Sequence, residues 1–126
     1  MNIVLVIAAG GAIGAVGLRA VMIAATYLLG SSFPYATIIV NLIGSFVLGG
    51  LVQSLKYYSG IGNKIQVFLI VGVLGSFTTF SEFSMDVVVL IQKNEMFAAG
   101  FYILGSIVVP LGGLLFGTFL IRQLFQ

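Results

Sequence analysis

The sequence predicts an all-α integral membrane protein with four transmembrane helices in a single transmembrane domain, residues 1–126. Hydrophobic residues make up 60% of the chain and charged residues only 6%, whereas soluble domains carry about 25% charged residues. The apolar residues also fall into four long runs, each able to cross a bilayer as a helix of about 20 residues. So apolar a chain is expected to be solvated by lipid.

The first run extends from Ile3 to Leu29 and contains a single charge, Arg19. It has no basic residue before it and is too long for the apolar region of a signal peptide. We therefore predict a membrane helix over 3–29. Gly10 and Gly14 form a GxxxG pattern, which lets two helices approach closely in lipid.

The second run, 35–55, contains no charge. Every fourth position on it is polar or small, at Thr37, Asn41, Ser45, Gly49 and Gln53. This spacing places the five residues along one side of the predicted helix. Such a stripe is typical of a hydrogen-bonded seam between helices and equally of the wall of a pore, and spacing alone does not decide between the two.

The third run, 65–92, would measure about 42 Å as a straight helix, more than the roughly 30 Å of the hydrocarbon core. Glycine and hydroxyl residues cluster near its middle, and Glu82 and Asp86 follow them. We predict that this helix is broken near its middle, since broken helices buried in protein or lining a cavity are tolerated in membranes and bind ions. The alternative is a continuous helix whose Ser and Thr hydroxyls bond back to their own backbone.

The fourth run, 96–121, also lacks charge. Tyr102 and Ser106 lie one turn apart and are placed to face the same interior as the stripe on the second helix. Gly113 and Gly117 form a second GxxxG pattern, which predicts another close helix contact.

The distribution of cations specifies the orientation only weakly. Four spans place both ends of the chain on one side with three cations, Lys56, Lys64 and Arg122, and leave Lys93 and Arg19 towards the other. One fixed topology, and insertion in both orientations with antiparallel pairing, both fit this distribution.

Composition also excludes several classes of function. The chain has no histidine and no cysteine, which removes the commonest general base and all thiolate chemistry. We therefore predict that the protein is not an enzyme. A net charge of +2 does not indicate a nucleic-acid partner.

The run from Gly75 to Ser84, GSFTTFSEFS, resembles the signature of the Fluc/CrcB fluoride channels, G-G-x-T-T-F-S-T-F-S. Residues 34–44 and 10–19 resemble that family's second-helix and first-helix motifs. The resemblance implies an antiparallel, dual-topology homodimer in the cell inner membrane. It also implies passive, selective export of fluoride from the cytoplasm, which reduces fluoride toxicity.

The resemblance further implies roles for particular residues. It places a structural sodium ion at the dimer interface, held by the backbone carbonyls of Gly75 and Thr78, and it places Arg19 at an aqueous vestibule. It implies a fluoride pore lined by Asn41, Thr79, Phe80, Ser81, Phe83, Tyr102 and Ser106. The edge of an aromatic ring carries the positive end of its quadrupole, so such rings can contact an anion weakly.

Three positions depart from the family pattern. Arg19 lies one residue further from the double glycine, Gly10 and Gly11, than in the family's first-helix motif. Glu82 stands where the family usually has Thr, and Asp86 replaces the usual Glu. An ionised carboxylate close to the pathway would repel fluoride, so Glu82 either points into a vestibule or interface, is protonated, or adjusts conduction.

Two other functions fit a small four-helix membrane protein. One is a proton-coupled multidrug exporter of dual topology, but such exporters use a carboxylate in the first helix, where this chain has none. The other is a non-transporting membrane subunit, in which the polar stripes serve only as helix seams.

Overall fold

The computed structural model describes residues 2–126, which are helical almost throughout. The elements are α1 (Ile3–Leu29), α2 (Tyr35–Ser54), α3 (Asn63–Val67), a π-helical segment (Phe68–Leu74), α4 (Gly75–Phe77), α5 (Ser81–Gln92) and α6 (Met96–Leu124). We refer to Asn63–Gln92 as the third passage. Four helical units are long and apolar enough to cross a membrane: α1, α2, the third passage and α6.

The predicted all-α class with four spanning helices is therefore confirmed. The observed bounds agree closely with the predicted ones, and the largest difference is at the end of α6, predicted at Ile121 and found at Leu124. The third passage begins at Asn63 rather than at Ile65, and α2 ends at Ser54 rather than at Leu55.

The first GxxxG pattern packs α1 against the π-helical segment. A Cβ atom added at Gly10 would stand 2.6 Å from the carbonyl oxygen of Phe68 and 2.9 Å from the Cα of Gly72. A Cβ at Gly14 would collide with the carbonyl of Val73 and with the hydroxyl of Ser76. The two backbones thus approach to a distance that only glycine allows, as the spacing predicts.

The second GxxxG pattern packs α6 against α2. A Cβ atom at Gly113 would lie 2.5 Å from a methyl group of Leu42, and one at Gly117 would collide with the carbonyl of Phe46. This contact pairs α6 with α2 in the same way that the first pattern pairs α1 with the third passage.

The polar stripe of α2 divides into two parts with different neighbours. Near the end of the helix, the Gly49 carbonyl accepts a hydrogen bond from the Thr118 hydroxyl of α6 at 3.2 Å, and Gln53 is 5% exposed. Nearer the start of the helix, Thr37 and Asn41 bond instead to the third passage. The part with Gly49 and Gln53 is therefore a helix seam, whereas the part with Thr37 and Asn41 reaches the broken helix.

The third passage is broken after Phe77, near its middle, as predicted. Thr78 is extended, with φ −83° and ψ 155°, and α5 begins only at Ser81. The hydroxyl groups also bond back to their own helix, since Ser76 donates to the Gly72 carbonyl at 2.7 Å and Thr78 to the Leu74 carbonyl at 3.0 Å. The hydroxyl back-bonding of the alternative is therefore present, but the helix is not continuous. We refer to residues 78–80 as the break.

Candidate functional site

A side chain from α2 replaces the missing helical hydrogen bonds at the break. The Asn41 amide nitrogen donates to the Thr79 carbonyl at 2.9 Å, and the Thr79 N–H donates to the Asn41 amide oxygen at 2.8 Å. In a continuous helix the Thr79 N–H would instead donate to the carbonyl four residues earlier, that of Gly75. This Asn41–Thr79 pair therefore satisfies both backbone polar groups of one residue of the break.

The pair leaves two backbone carbonyls without donors. Within residues 2–126, no N–H or O–H group donates to the carbonyl oxygen of Gly75 or to that of Thr78. The Glu82 N–H, which could reach Thr78 in a continuous helix, donates to the Thr79 hydroxyl at 3.2 Å. Both carbonyl oxygens are thus available as ligands, and Gly75 is exposed.

An open groove of about 510 Å³ runs beside the break. We call it the break groove. Three elements form its walls: α2, the third passage and α6. The lining residues are Asn41, Ser45, Leu48, Gly75, Thr78, Thr79, Phe80, Phe83, Ser106, Ile107 and Pro110. Amide, hydroxyl and carbonyl groups therefore meet aromatic rings in one cavity.

The two predicted pore phenylalanines lie together at this groove. Their ring centroids are 5.3 Å apart, with an angle of 47° between the ring planes. Phe83 is half-buried and stacks on Tyr102 at 5.5 Å, whereas Phe80 is 76% exposed. Phe80 thus has a protein neighbour on one side and an open face on the other.

Hydroxyl groups supply the remaining polar surface. The Thr79 and Ser81 hydroxyls are 3.2 Å apart, although Ser81 itself does not line the break groove. The Ser106 hydroxyl oxygen is buried and has no hydrogen-bond partner in the described part of the chain. Ser45 also lines the groove. We did not predict Ser45 as a site residue, although its place on the four-residue stripe of α2 was the available signal.

Tyr102 faces the start of the α2 stripe, because its hydroxyl shares a partner with Thr37. It is fully buried, and its ring packs against Phe83 rather than lining the break groove. Its hydroxyl donates to a carboxylate oxygen of Asp86 at 2.7 Å. The Thr37 hydroxyl donates to the same oxygen, also at 2.7 Å.

Asp86 therefore joins α2, α5 and α6 through one carboxylate oxygen. A charged group inside a spanning segment is costly unless it is paired or solvated, and two hydroxyl donors supply that pairing here. This junction was not predicted, because the sequence does not show which hydroxyls surround the carboxylate.

Comparison with known proteins places this geometry in a family. The family model described as CrcB-like protein, Camphor Resistance (CrcB), matches residues 5–118. The chain belongs to the CrcB family. A protein of Agrobacterium fabrum named fluoride-specific ion channel FluC is 42% identical over 125 residues, 99% of each chain. Proteins of the same name from Rhodospirillum centenum and Caulobacter vibrioides are 40% identical over 122 residues, 97% of each chain, and 37% identical over 126 residues, 99% of each chain.

These relationships confirm the resemblance that the break sequence carries. The CrcB family is a family of ion channels and not of enzymes, as predicted. Four spanning helices and relatives that are channels make this chain a multi-pass membrane protein.

Two charged residues of this CrcB chain lie outside the break groove. Arg19 is exposed on α1. Glu82 is exposed in the first turn of α5, where the positive end of the helix dipole favours a negative charge. Neither residue lines the break groove, among the residues that the structure describes. The position of Glu82 explains how a carboxylate is accommodated beside the aromatic pair.

Proposed function

We propose that the protein is a passive, fluoride-selective channel that exports fluoride from the cytoplasm across the cell inner membrane. The break groove is the observation that carries this proposal, because it combines neutral hydrogen-bond donors with aromatic rings beside a broken helix. Relatives that match nearly the whole chain and are named as fluoride-specific ion channels support the choice of ion.

The groove has suitable chemistry for a weakly held anion. One N–H of the Asn41 amide is used in the Asn41–Thr79 pair, so the second remains available to donate to an ion. The Ser106 hydroxyl has no partner within residues 2–126, although its oxygen is buried at the wall of the groove. No Lys or Arg lines the groove among the described residues, and conduction requires sites weak enough to release the ion.

The proposed pathway follows the residues that the family resemblance indicates. Asn41, Thr79, Phe80, Phe83 and Ser106 lie along it in the break groove, Ser81 and Tyr102 adjoin these residues, and Arg19 is at an aqueous vestibule. Phe80 and Phe83 would present ring edges to the anion. Tyr102 supports the Phe83 ring by stacking on it, and it orients its hydroxyl towards Asp86.

The protomer leaves the break uncovered, which supports an antiparallel homodimer. Gly75 is exposed and Phe80 is 76% exposed. Irregular backbone at membrane depth is tolerated only where protein or a water-filled cavity covers it. We propose that a second, inverted copy of the chain covers this face, since the weak bias of cations between the two sides permits insertion in both orientations.

The same face fits a structural sodium ion between the two copies. The carbonyl oxygens of Gly75 and Thr78 have no donors within the described chain, and unwound backbone carbonyls are common ligands of Na⁺ in membrane proteins. Two carbonyls from each copy would surround the ion with oxygen atoms. When bound, the ion supplies a positive charge near the pathway, which favours anions.

Fluoride efflux from liposomes tests the proposal. Purified protein is reconstituted with internal potassium fluoride or potassium chloride, valinomycin is added, and the released anion is measured with ion-selective electrodes. We expect rapid fluoride release and no chloride release. Absence of fluoride release from a folded protein would contradict the channel, and release that requires a proton gradient would indicate a coupled exporter instead.

Two phenylalanine variants test the pathway. Phe80→Ile is expected to remove most of the fluoride flux while the protein elutes at the wild-type size, because the ring edge is lost. Phe97→Ile is the matched control, since Phe97 is 87% exposed on α6 and does not line the break groove. Wild-type flux in the Phe80→Ile variant would show that the Phe80 side chain does not take part in the pathway.

A further inference from the structure

At one end of the helix bundle, every charged side chain within residues 2–126 is positive. Lys56 and Lys64 lie in and after the connection between α2 and α3, and Arg122 is in the last turn of α6. Tyr57 stacks on Phe125 with ring centroids 5.4 Å apart, which brings this connection beside the end of α6. We call this end of the bundle the basic end.

The three carboxylates lie elsewhere in the chain. Glu82 and Asp86 are on α5, and Glu95 immediately precedes α6. The opposite end carries charges of both signs, because Lys93 and Glu95 lie two residues apart in the sequence. Within residues 2–126, the basic end has no acidic side chain to neutralise its cations.

An apolar groove opens at the basic end between α1 and α3. It has a volume of about 310 Å³ and is lined by Val6, Ala9, Lys64, Ile65 and Phe68. We call it the α1–α3 groove. Lys64 is its one charged lining residue and lies near the start of α3. A lysine there can lay its aliphatic stem along apolar surface while its ammonium group reaches the headgroup level.

We propose that the α1–α3 groove binds one acyl chain of an anionic phospholipid, whose phosphate pairs with the Lys64 ammonium. The charge complementarity of the basic end carries this inference, because Lys56 and Arg122 add to the positive potential. The exposed rings of Tyr57 and Tyr58, 41% and 51% exposed, mark the interfacial level at which headgroups lie.

A second groove of the same protein provides an internal comparison. It also has a volume of about 310 Å³, and it is lined only by the apolar residues Val21, Ala24, Ala25, Leu28, Leu29 and Ile39. An acyl chain fits both grooves by size and polarity, but only the α1–α3 groove has a cation at its rim. A preference for anionic lipid is therefore expected at the α1–α3 groove alone.

Native mass spectrometry of the full protein tests the proposal. The protein is released from bilayers containing equal amounts of phosphatidylglycerol and phosphatidylcholine, and the retained lipids are counted. We expect the wild type to retain phosphatidylglycerol in excess. Lys64→Gln should reduce the excess about fivefold, the size expected for one cation near an anionic lipid. Lys93→Gln, at the opposite end, is the matched control and should leave it unchanged.

Two further variants separate the headgroup from the acyl chain. Lys64→Glu should abolish the excess of phosphatidylglycerol while leaving the groove open. Ala9→Phe should reduce retention of both lipids by filling the groove. Equal retention of both lipids by the wild type, or equal losses in the Lys64→Gln and Lys93→Gln variants, would overturn the proposal.

A third result would also overturn the proposal. If Ala9→Phe dissociates a dimer and leaves lipid retention unchanged, a second copy covers the groove. Fluoride efflux is expected to be the same in Lys64→Gln as in the wild type, so this inference and the proposed channel can fail independently.

Discussion

The Asn41–Thr79 pair makes a quantitative prediction. Asn41→Ala removes both hydrogen bonds to the Thr79 backbone, of 2.9 and 2.8 Å. Hydrogen bonds between membrane helices contribute about 0.6 kcal/mol on average and up to about 1.7 kcal/mol. The variant should therefore lose about 1–3 kcal/mol of unfolding free energy. Because the Thr79 N–H becomes free to return to the Gly75 carbonyl, the break itself should also be less populated.

A lower population of the broken conformation should reduce fluoride conduction. A change of about 1.4 kcal/mol alters an equilibrium tenfold, so a loss of about 1–3 kcal/mol at the break should lower fluoride efflux by about 5- to 150-fold in Asn41→Ala. Thermal unfolding in detergent and fluoride efflux from liposomes measure the two effects.

Ser45→Ala is the matched control for this experiment. Ser45 lies one turn further along the same face of α2 and lines the same groove, but it makes no hydrogen bond to the break within the described chain. Its removal should change stability by less than about 0.5 kcal/mol. Our interpretation is refuted if Asn41→Ala unfolds and conducts like the wild type, or if Ser45→Ala loses as much stability.

Three further predictions concern packing and charge. Gly10→Ala should destabilise the protein by about 1–3 kcal/mol, because the new methyl group meets the Phe68 carbonyl. Gly11→Ala is the control and should be neutral, because nothing lies within 4 Å of a Cβ atom there. Equal melting temperatures in the two variants would contradict this packing. Asp86→Leu should lower the unfolding free energy by about 1–3 kcal/mol for each of the two hydroxyls, those of Thr37 and Tyr102, left without an acceptor. Asp86→Asn keeps an acceptor oxygen and should melt closer to the wild type. The reverse order of melting temperatures would show that the Asp86 junction does not stabilise the fold. Glu82→Thr should keep or raise fluoride efflux, since it removes a negative charge near the break, and a loss of efflux would show that the carboxylate assists conduction.

The amino-acid sequence by itself determined the spanning helices and their approximate bounds. Length and hydropathy are properties of a continuous segment, so they can be evaluated without knowledge of any neighbour. The break was also predictable, because the third run is too long for a straight span and concentrates glycine and hydroxyl residues near its middle. The GxxxG spacing likewise predicted two close helix contacts, and both occur.

Only the tertiary structure decided which groups meet across helices. Asn41 and Thr79 are 38 positions apart, and Thr37 and Asp86 are 49 apart. Their pairing depends on the rotation and depth of α2 relative to the third passage, which no local pattern specifies. For the same reason, the four-residue spacing on α2 could not show where the helix seam ends and the break groove begins. That boundary is set by close packing against α6 on one side and by the unsatisfied backbone of the break on the other.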